Sequence, residues 1–131
     1  MPSFEERAIC RAPAEEVWKL LYDPTRFPEW WAGMDRVESG NGEENVTRYM
    51  EAWPYFAYPT RVSRREEGRI VVSCLLSDIV YEWVLEPAAA GCAVRVRVEI
   101  PKEEAARLEA QEAEIRASLA RLVARAEEMA A

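Results

Sequence analysis

The sequence has no histidine among its 131 residues. Histidine is the commonest general base and metal ligand at neutral pH, so its absence excludes Ser-His-Asp, Cys-His and histidine–metal chemistry. Any catalysis by this chain must therefore depend on Asp, Glu, Tyr, Arg or Lys side chains.

Cysteine is scarce, and the three that occur, Cys10, Cys74 and Cys92, form no CxxC pair. Their odd number and wide spacing argue against a metal site or a redox motif. Each lies in an apolar, strand-like run, so we expect three buried thiols that behave as small hydrophobes. No pattern points to a metal or a cofactor, and we expect neither.

Long apolar runs and an excess of positive charge are also missing. No run approaches the roughly eighteen apolar residues of a membrane span, and the N-terminus lacks the apolar core of a signal peptide. The formal net charge of −7 argues against nucleic acid, which requires a basic face. We therefore expect a cytoplasmic protein with no membrane span and no nucleic-acid partner.

Length and composition predict a single domain over residues 1–131. Half of the residues are hydrophobic and 31% are charged, which is typical of a globular chain. A chain of this length buries roughly two thirds of the surface that it exposes when unfolded.

The last thirty residues, 102–131, contain no Gly or Pro and predict one long helix. Apolar residues recur along it at steps of three, four and seven: Leu108, Ile115, Leu119, Leu122, Ala126 and Met129. Between Lys102 and Glu114, Leu108 is the only apolar side chain larger than alanine. Either this half of the helix faces solvent, or its alanines cover a space that large side chains, water or a ligand must fill. The heptad-like spacing also allows two such helices to pair in a homodimer.

The start of the chain predicts a strand followed by two short helices. In the strand 4–12, Glu6 points to the same side as Phe4. This orientation makes Glu6 a candidate polar anchor or general acid. The alternative is that the strand lies at the edge of the sheet and Glu6 is solvated. Pro13 is placed to begin the first helix, and Asp23-Pro24 to cap the second. Trp30 and Trp31 follow, and we expect them to fill the open side of a sheet as core rather than to contact a ligand.

Six further runs predict strands, at 34–39, 44–53, 60–65, 69–77, 79–86 and 92–100. The turns between them are predicted at Gly40-Asn41-Gly42, at Glu66-Glu67-Gly68 and over residues 87–91. Tyr81 and Trp83 fall on one side of their strand and are expected to point at the last helix. On the opposite side, Glu82 and Glu86 can meet Arg95 and Arg97 if the last two strands are neighbours.

The run 44–53 alternates loosely, so either of its faces can be the inner one. If the face with Val46 and Arg48 is inner, Arg48 lies at the cavity and can receive an anionic or carbonyl group. A solvated or ion-paired Arg48 is the alternative.

Segment 53–59, Trp-Pro-Tyr-Phe-Ala-Tyr-Pro, combines four aromatic residues with two prolines. Because proline removes a backbone donor, we expect an interrupted strand that forms a rigid loop or an edge. Tyr55, Phe56 and Tyr58 then form a lid or stacking wall at a cavity mouth, or they pack against the second helix or a second subunit.

Several of these segments resemble a known family. Residues 12–18, then Leu20-Leu21, Asp23-Pro24 and residues 27–31, are similar to the opening signature of the START-like (SRPBCC) superfamily, and within it to the polyketide cyclase/dehydrase-like group. The resemblance extends over the whole chain as an order of elements, although segment 53–59 departs from the short glycine-rich turn of the family.

The resemblance implies an α+β helix-grip fold, with a seven-stranded curved antiparallel sheet wrapped around a long C-terminal helix and two short helices after strand 1. It also implies a hydrophobic cavity between sheet and helix. Members of the superfamily bind lipids, polyketides, isoprenoid quinones or plant hormones, and some cyclise or dehydrate what they bind.

We therefore expect the chain to bind a hydrophobic small molecule between sheet and helix. The expected ligand contacts are Tyr81, Trp83, Val96, Val98, Leu108 and Ile115, with Tyr55, Phe56 and Tyr58 at the mouth and Arg48 as an anchor. A second hypothesis is a cyclase or dehydratase in which Glu6 or Tyr81 moves protons. A third is a protein-interaction module that acts through segment 53–59 or the last helix.

Overall fold

The computed structural model describes residues 2–40, 42, 44–66 and 68–131. Within these residues the chain forms seven strands, two α-helices and two 3₁₀ helices. In chain order they are β1 (Ser3–Cys10), α1 (Ala14–Tyr22), a 3₁₀ helix (Pro24–Glu29), β2 (Met34–Ser39), β3 (Asn45–Met50), β4 (Trp53–Arg64), β5 (Arg69–Cys74), β6 (Val80–Ala88), β7 (Gly91–Glu99), a second 3₁₀ helix (Lys102–Arg107) and α2 (Leu108–Ala130).

The strands form one antiparallel sheet in the order β1-β7-β6-β5-β4-β3-β2. Its inner face carries the alternate apolar residues of each strand, and α2 packs against this face through Ile115, Leu119, Leu122 and Ala126. Tyr81 and Trp83 both lie on the inner face, as their alternation predicts. This open curved sheet with a long C-terminal helix confirms the α+β helix-grip fold.

The long helix is shorter than the sequence predicts. Residues 102–107 form a 3₁₀ helix, so the α-helical hydrogen bonding begins only at Leu108. The backbone N–H of Glu104 donates to the carbonyl oxygen of Pro101 at 2.8 Å, which is the i→i+3 bond that tightens a helix start. The 23 residues of α2 span about 35 Å at roughly 1.5 Å per residue.

The predicted hairpin loop over residues 87–91 is shorter than expected, because β6 and β7 pair as far as Ala88 and Gly91. A Cβ atom at Gly91 would lie 2.5 Å from the carbonyl oxygen of Cys10, so the absence of a side chain lets the turn approach β1 this closely. The two other predicted turns include Asn41 and Glu67, which lie outside the described residues.

Segment 53–59 is also not a loop. It forms the first half of β4 and pairs with β3, whereas β5 pairs with β4 only from Thr60 onward. The segment is therefore an edge, where the missing N–H groups of Pro54 and Pro59 remove few ladder bonds. The edge alternative is confirmed and the loop alternative is wrong.

An aromatic cluster closes the centre of the core. Trp30, Trp31 and Trp83 are all fully buried, and neighbouring ring centroids lie 4.9 to 5.5 Å apart. The indole N–H of Trp30 donates to the carbonyl oxygen of Leu20 at 3.1 Å. The prediction that Trp30 and Trp31 fill the open side of the sheet as core is confirmed.

The outer face of the sheet carries the charged residues in pairs. Glu86 lies 3.6 Å from Arg95, as the register predicts, but Glu82 pairs with Arg69 rather than with Arg97. Such exposed pairs contribute roughly 0–1 kcal/mol each to stability. We therefore treat them as solvated surface rather than as an acid–base pair.

Candidate functional site

A cavity of about 360 Å³ lies between the N-terminal part of α2 and the inner face of the sheet. Arg48 of β3, Tyr58 of β4 and Tyr81 of β6 line the sheet side, and Gln111 and Glu114 of α2 line the helix side. Its size is within the range of roughly 300–1,000 Å³ that is typical of small-molecule sites. The fold therefore leaves one partly enclosed space next to a polar cluster.

A larger groove, of about 440 Å³, lies on the outer face of the sheet. Its charged residues already pair with one another, for example Arg69 with Glu82 and Arg97 with Glu99. Apart from Val71 and Val80, the groove is lined by charged residues, whereas small-molecule sites are lined mainly by apolar ones. We therefore assign the candidate site to the inner cavity.

Arg48 is the charged residue most deeply placed in the cavity, with only 5% of its surface exposed. Its Nε donates to Thr60 Oγ1 at 2.8 Å, and it makes no ion pair with any carboxylate in the described ranges. The inner face of β3 is thus the one that carries Val46 and Arg48. The alternative of a solvated or ion-paired Arg48 is wrong.

Tyr81 is the second residue of the sheet that contributes a polar group to the cavity. Its hydroxyl donates to Gln111 Oε1 at 2.8 Å, which joins β6 to α2 across the cavity. Burial raises the pKa of Tyr81 far above its usual range, and the charge of Glu114 adds to this effect. At neutral pH Tyr81 is therefore a neutral phenol that can donate a hydrogen bond.

Glu114 is a residue that the sequence analysis missed. Its Oε2 accepts a long hydrogen bond of 3.4 Å from the indole N–H of Trp31. Burial raises the pKa of Glu114 above its usual value, although the Trp31 hydrogen bond and the charge of Arg48 oppose this rise. A carboxyl group with a raised pKa beside a guanidinium can hold or release a proton nearer to neutral pH than an exposed glutamate.

Of the two alternatives for the start of the last helix, the one in which its alanines cover the cavity is wrong. The alanines of residues 105–117 are exposed, and the cavity is lined by Arg107, Gln111 and Glu114 instead. Together with buried Ser118, these residues recur at steps of four, three and four, which places them on the same helix face as Ile115 and Leu119. That spacing is the signal that could have identified them.

Replacing Glu114 by Gln is expected to raise the melting temperature at pH 8, and the gain should shrink as the pH falls. Because the folded-state pKa of Glu114 is raised, its protonated form stabilises the folded protein at low pH, and this stabilisation is lost as the pH rises through the folded-state pKa. Melting curves at pH 8 and near pH 4 test this, with Glu109→Gln on the exposed face of α2 as the control. An equal gain at both pH values contradicts the assignment.

The other sequence-predicted contacts divide into two groups. Trp83, Val96, Val98 and Ile115 are buried in the packed core, and Leu108 is partly buried against that core; none of the five lines the cavity. The structure thus brings together Arg48, Tyr58 and Tyr81 of the predicted set.

Tyr55 and Phe56 lie on the outside of the cavity mouth. Tyr55 is 96% exposed, and both residues line a shallow apolar groove along residues 52–56. This groove shares Ala52 and Trp53 with the cavity, so the two surfaces are continuous.

Glu6 has the inward orientation that its alternation predicts, but it lies away from the cavity. Its Oε1 accepts a hydrogen bond of 2.6 Å from Arg116 Nε, which ties β1 to α2. Arg116 is largely exposed, so the pair is a surface link between the two elements.

The described part of the chain was compared with two kinds of site, a metal-ligand cluster and a membrane-spanning helix. No group of three or more His, Cys, Asp or Glu side chains there is placed to hold a metal ion. No helix there is both long enough and apolar enough to cross a membrane.

The family model described as "Polyketide cyclase / dehydrase and lipid transport" matches residues 1–127. No curated protein matches the sequence. Many solved structures do. The three described below share at most 22% identity with this chain, so their likeness concerns the fold.

Three of these structures illustrate the match. The di-domain ARO/CYC BexL from the BE-7585A biosynthetic pathway has a TM-score of 0.80 at 22% identity. The match covers 97% of this chain and 47% of BexL, so this chain spans about half the length of that protein. Protein NE0264 from Nitrosomonas europaea has a TM-score of 0.75 at 10% identity and coverages of 97% and 95%. A START superfamily protein from Mycobacterium smegmatis has a TM-score of 0.75 at 15% identity and coverages of 97% and 98%.

Proposed function

The chain belongs to the polyketide cyclase / dehydrase and lipid transport family, and we propose that it binds a hydrophobic small molecule of lipid, isoprenoid or polyketide type whose oxygen-bearing end is held by Arg48. The observation that carries this proposal is the burial of Arg48 without an ion pair. Arg48 bonds Thr60 and lies 5.9 Å from the centroid of the Tyr58 ring, but a cation that is withdrawn from water without a counter-charge still costs free energy. A carboxylate or carbonyl oxygen of a ligand supplies a further acceptor for its N–H groups.

The cavity walls support a ligand with one polar end. Arg48, Tyr81 and Gln111 place their polar groups on the inner part, while Met50, Tyr58 and Ile79 add apolar surface. The aromatic cluster fills the space deeper in the core, so a long ligand must extend outward past Trp53. There the exposed groove with Tyr55 and Phe56 offers further apolar contact.

Matched ligands test this proposal through thermal stability. A ligand that binds the folded protein raises its melting temperature by mass action. Decanoate should therefore stabilise the protein, and decan-1-ol, which lacks the carboxylate, should stabilise it less at the same concentration. If neither decanoate nor 2-naphthoate shifts the melting temperature, and no hydrophobic molecule co-purifies by mass spectrometry, the proposal fails.

A second candidate function is a cyclase or dehydratase reaction in the same cavity. The observation that favours it is the position of Glu114, whose raised pKa suits proton transfer, beside Arg48 and Tyr81. In this hypothesis Arg48 stabilises an enolate oxygen, and Glu114 or Tyr81, rather than Glu6, exchanges the proton.

Turnover of a poly-β-ketone substrate separates the two functions. Loss of turnover in Glu114→Gln or Tyr81→Phe, with ligand binding retained, supports an enzyme. Glu6→Gln serves as the matched carboxylate control, because Glu6 pairs with Arg116 outside the cavity. Equal turnover in all three variants and the parent excludes these residues as proton donors or acceptors.

A further inference from the structure

Cys74 differs in position from the two other cysteines. All three are buried, as the sequence predicts, but only Cys74 lines the cavity that holds Arg48. Cys10 and Cys92 lie opposite each other on β1 and β7 and are fully buried in the core. A molecule in the cavity therefore meets the Cys74 thiol and neither of the others.

The turn between β5 and β6 folds around Cys74. The backbone N–H of Asp78 donates to the carbonyl oxygen of Cys74 at 2.8 Å, and the backbone N–H of Cys74 donates to the carbonyl oxygen of Ile79 at 2.9 Å. Asp78 holds a φ of 61°, a conformation that non-glycine residues rarely adopt. This tight turn places the Ser77 side chain and the backbone of Leu76 and Ser77 within hydrogen-bonding reach of the thiol.

These neighbours make the three thiols chemically different. Burial raises the pKa of Cys74, but hydrogen bonds from Ser77 and Leu76 and the charge of Arg48 outweigh it, so the pKa is lower than usual. By contrast, burial beside Cys10 raises the pKa of Cys92 to about 11. Because the thiolate is the nucleophile, the Cys74 thiol is more reactive than the Cys92 thiol.

Arg48 independently points to a ligand at the same place. It is nine-tenths buried without an ion pair, and its Nε bonds Thr60 Oγ1. Thr60 is the residue directly opposite Cys74 in the β4–β5 ladder. Side chains that oppose each other in an antiparallel pair lie roughly 4.5–5.5 Å apart at Cβ, so the cation and the thiol flank one small part of the cavity.

We propose that Cys74 is a covalent attachment site for α,β-unsaturated carbonyl compounds that enter the cavity. The inference deepens the proposed function, since it requires the ligand oxygen to lie at Arg48. An unsaturated carbonyl fits this arrangement because its oxygen and its electrophilic carbon are separated by a short conjugated chain. The guanidinium receives the oxygen while the thiol faces the carbon.

The step is a conjugate addition. The Cys74 thiolate forms an S–C bond to the β-carbon, the C=C π bond breaks, and its electrons move to the carbonyl oxygen, where hydrogen bonds from Arg48 stabilise the enolate. A proton then passes to the α-carbon from Glu114 or from water. The product is a saturated carbonyl with a thioether link, and no oxidant or reductant is consumed.

The experiment uses 1-octen-3-one as the electrophile and octan-3-one as its saturated, unreactive analogue. The native protein is treated with the enone and sampled over time, and adducts are located by peptide mass spectrometry. Labelling of Cys74 should be at least about tenfold faster than that of Cys10 or Cys92, because only Cys74 lines the cavity and the other two are fully buried in the core. Excess octan-3-one should slow the labelling of Cys74, because it competes for the cavity.

Three variants and one control isolate the cause. Cys74→Ser and Cys74→Ala should both abolish the fast labelling, and Arg48→Met should slow it by about tenfold or more, because enolate stabilisation is lost. Arg61→Met, an exposed arginine on β4, should leave the rate unchanged. Equal labelling of the three cysteines, or an Arg48→Met rate equal to that of the parent, overturns the proposal.

The failure of this inference can be distinguished from the failure of the proposed function. If decanoate binds in an Arg48-dependent manner but the enone does not label Cys74, only the covalent inference is wrong. If decanoate does not bind and the fast Cys74 labelling is absent, both are wrong.

Discussion

An Arg48→Met variant is expected to bind decanoate about 100-fold more weakly than the parent protein while it remains at least as stable. Truncating one partner of a buried charged pair costs roughly 2–5 kcal/mol, and about 2.7 kcal/mol corresponds to 100-fold in affinity. In the free protein the substitution removes a nine-tenths buried cation that makes no ion pair. Methionine fills a similar volume without this desolvation cost.

Calorimetric titration and thermal unfolding of the same samples measure both parts of this prediction. Arg61→Met is the matched control, because Arg61 is an exposed arginine on β4. It should change neither the affinity nor the stability appreciably. The account is contradicted if the two variants bind decanoate equally well, or if Arg48→Met melts several degrees below the parent.

A Trp31→Ala variant is expected to lose about 3–5 kcal/mol of unfolding free energy, the usual cost of deleting a large buried aromatic side chain. Trp31 is fully buried and its ring contacts those of Phe27, Trp30, Tyr81 and Trp83. Its loss also removes the N–H that bonds Glu114, a residue of the cavity wall. The cavity should therefore extend into the core and accept longer apolar chains.

Denaturant unfolding measures the first effect, and the relative affinities for decanoate and hexadecanoate measure the second. Trp53→Ala is the matched control, since Trp53 is 66% exposed and its removal should change stability by only about 0.5 kcal/mol. If both variants lose the same free energy, Trp31 is not the core element described here. If the preference for chain length is unchanged, Trp31 does not separate the core from the cavity.

The sequence predicts the architecture well because the inner face of each central strand is almost purely apolar. Val94, Val96 and Val98 alternate with charged residues, and only one orientation of such a strand buries the apolar set. The same reasoning places Ile115 and Leu119 on the inner side of the last helix. Local alternation and periodicity therefore suffice for the sheet and for the C-terminal half of α2.

The same patterns do not reveal which inner-face residues border open space. Trp83, Val96 and Val98 face inward as predicted, but they lie in the packed core, where Trp30 and Trp31 from a distant part of the chain contact the Trp83 ring. Alternation identifies a face and not what fills the space above it. The cavity lies beside this aromatic cluster, where Arg48 and Tyr81 line the sheet side.

Polar residues on a buried helix face are equally difficult to recognise from apolar periodicity. Gln111 and Glu114 continue the stripe of Ile115 and Leu119, yet in the sequence they resemble a solvated helix surface. Their inward position follows from the sheet that lies opposite them, through the Tyr81–Gln111 and Trp31–Glu114 hydrogen bonds. A search for polar residues in register with an apolar stripe would have found both.

The most direct test of the inner cavity as the ligand site uses the five tryptophans as reporters. Their indole N–H signals can be followed by ¹H–¹⁵N NMR during titration with decanoate. The account predicts that Trp53, which lines the cavity, and Trp31, which bonds Glu114, shift together, whereas Trp18, which lies beside a separate groove, does not. A shift of Trp18 alone, or unchanged signals for both Trp31 and Trp53 at saturation, contradicts it.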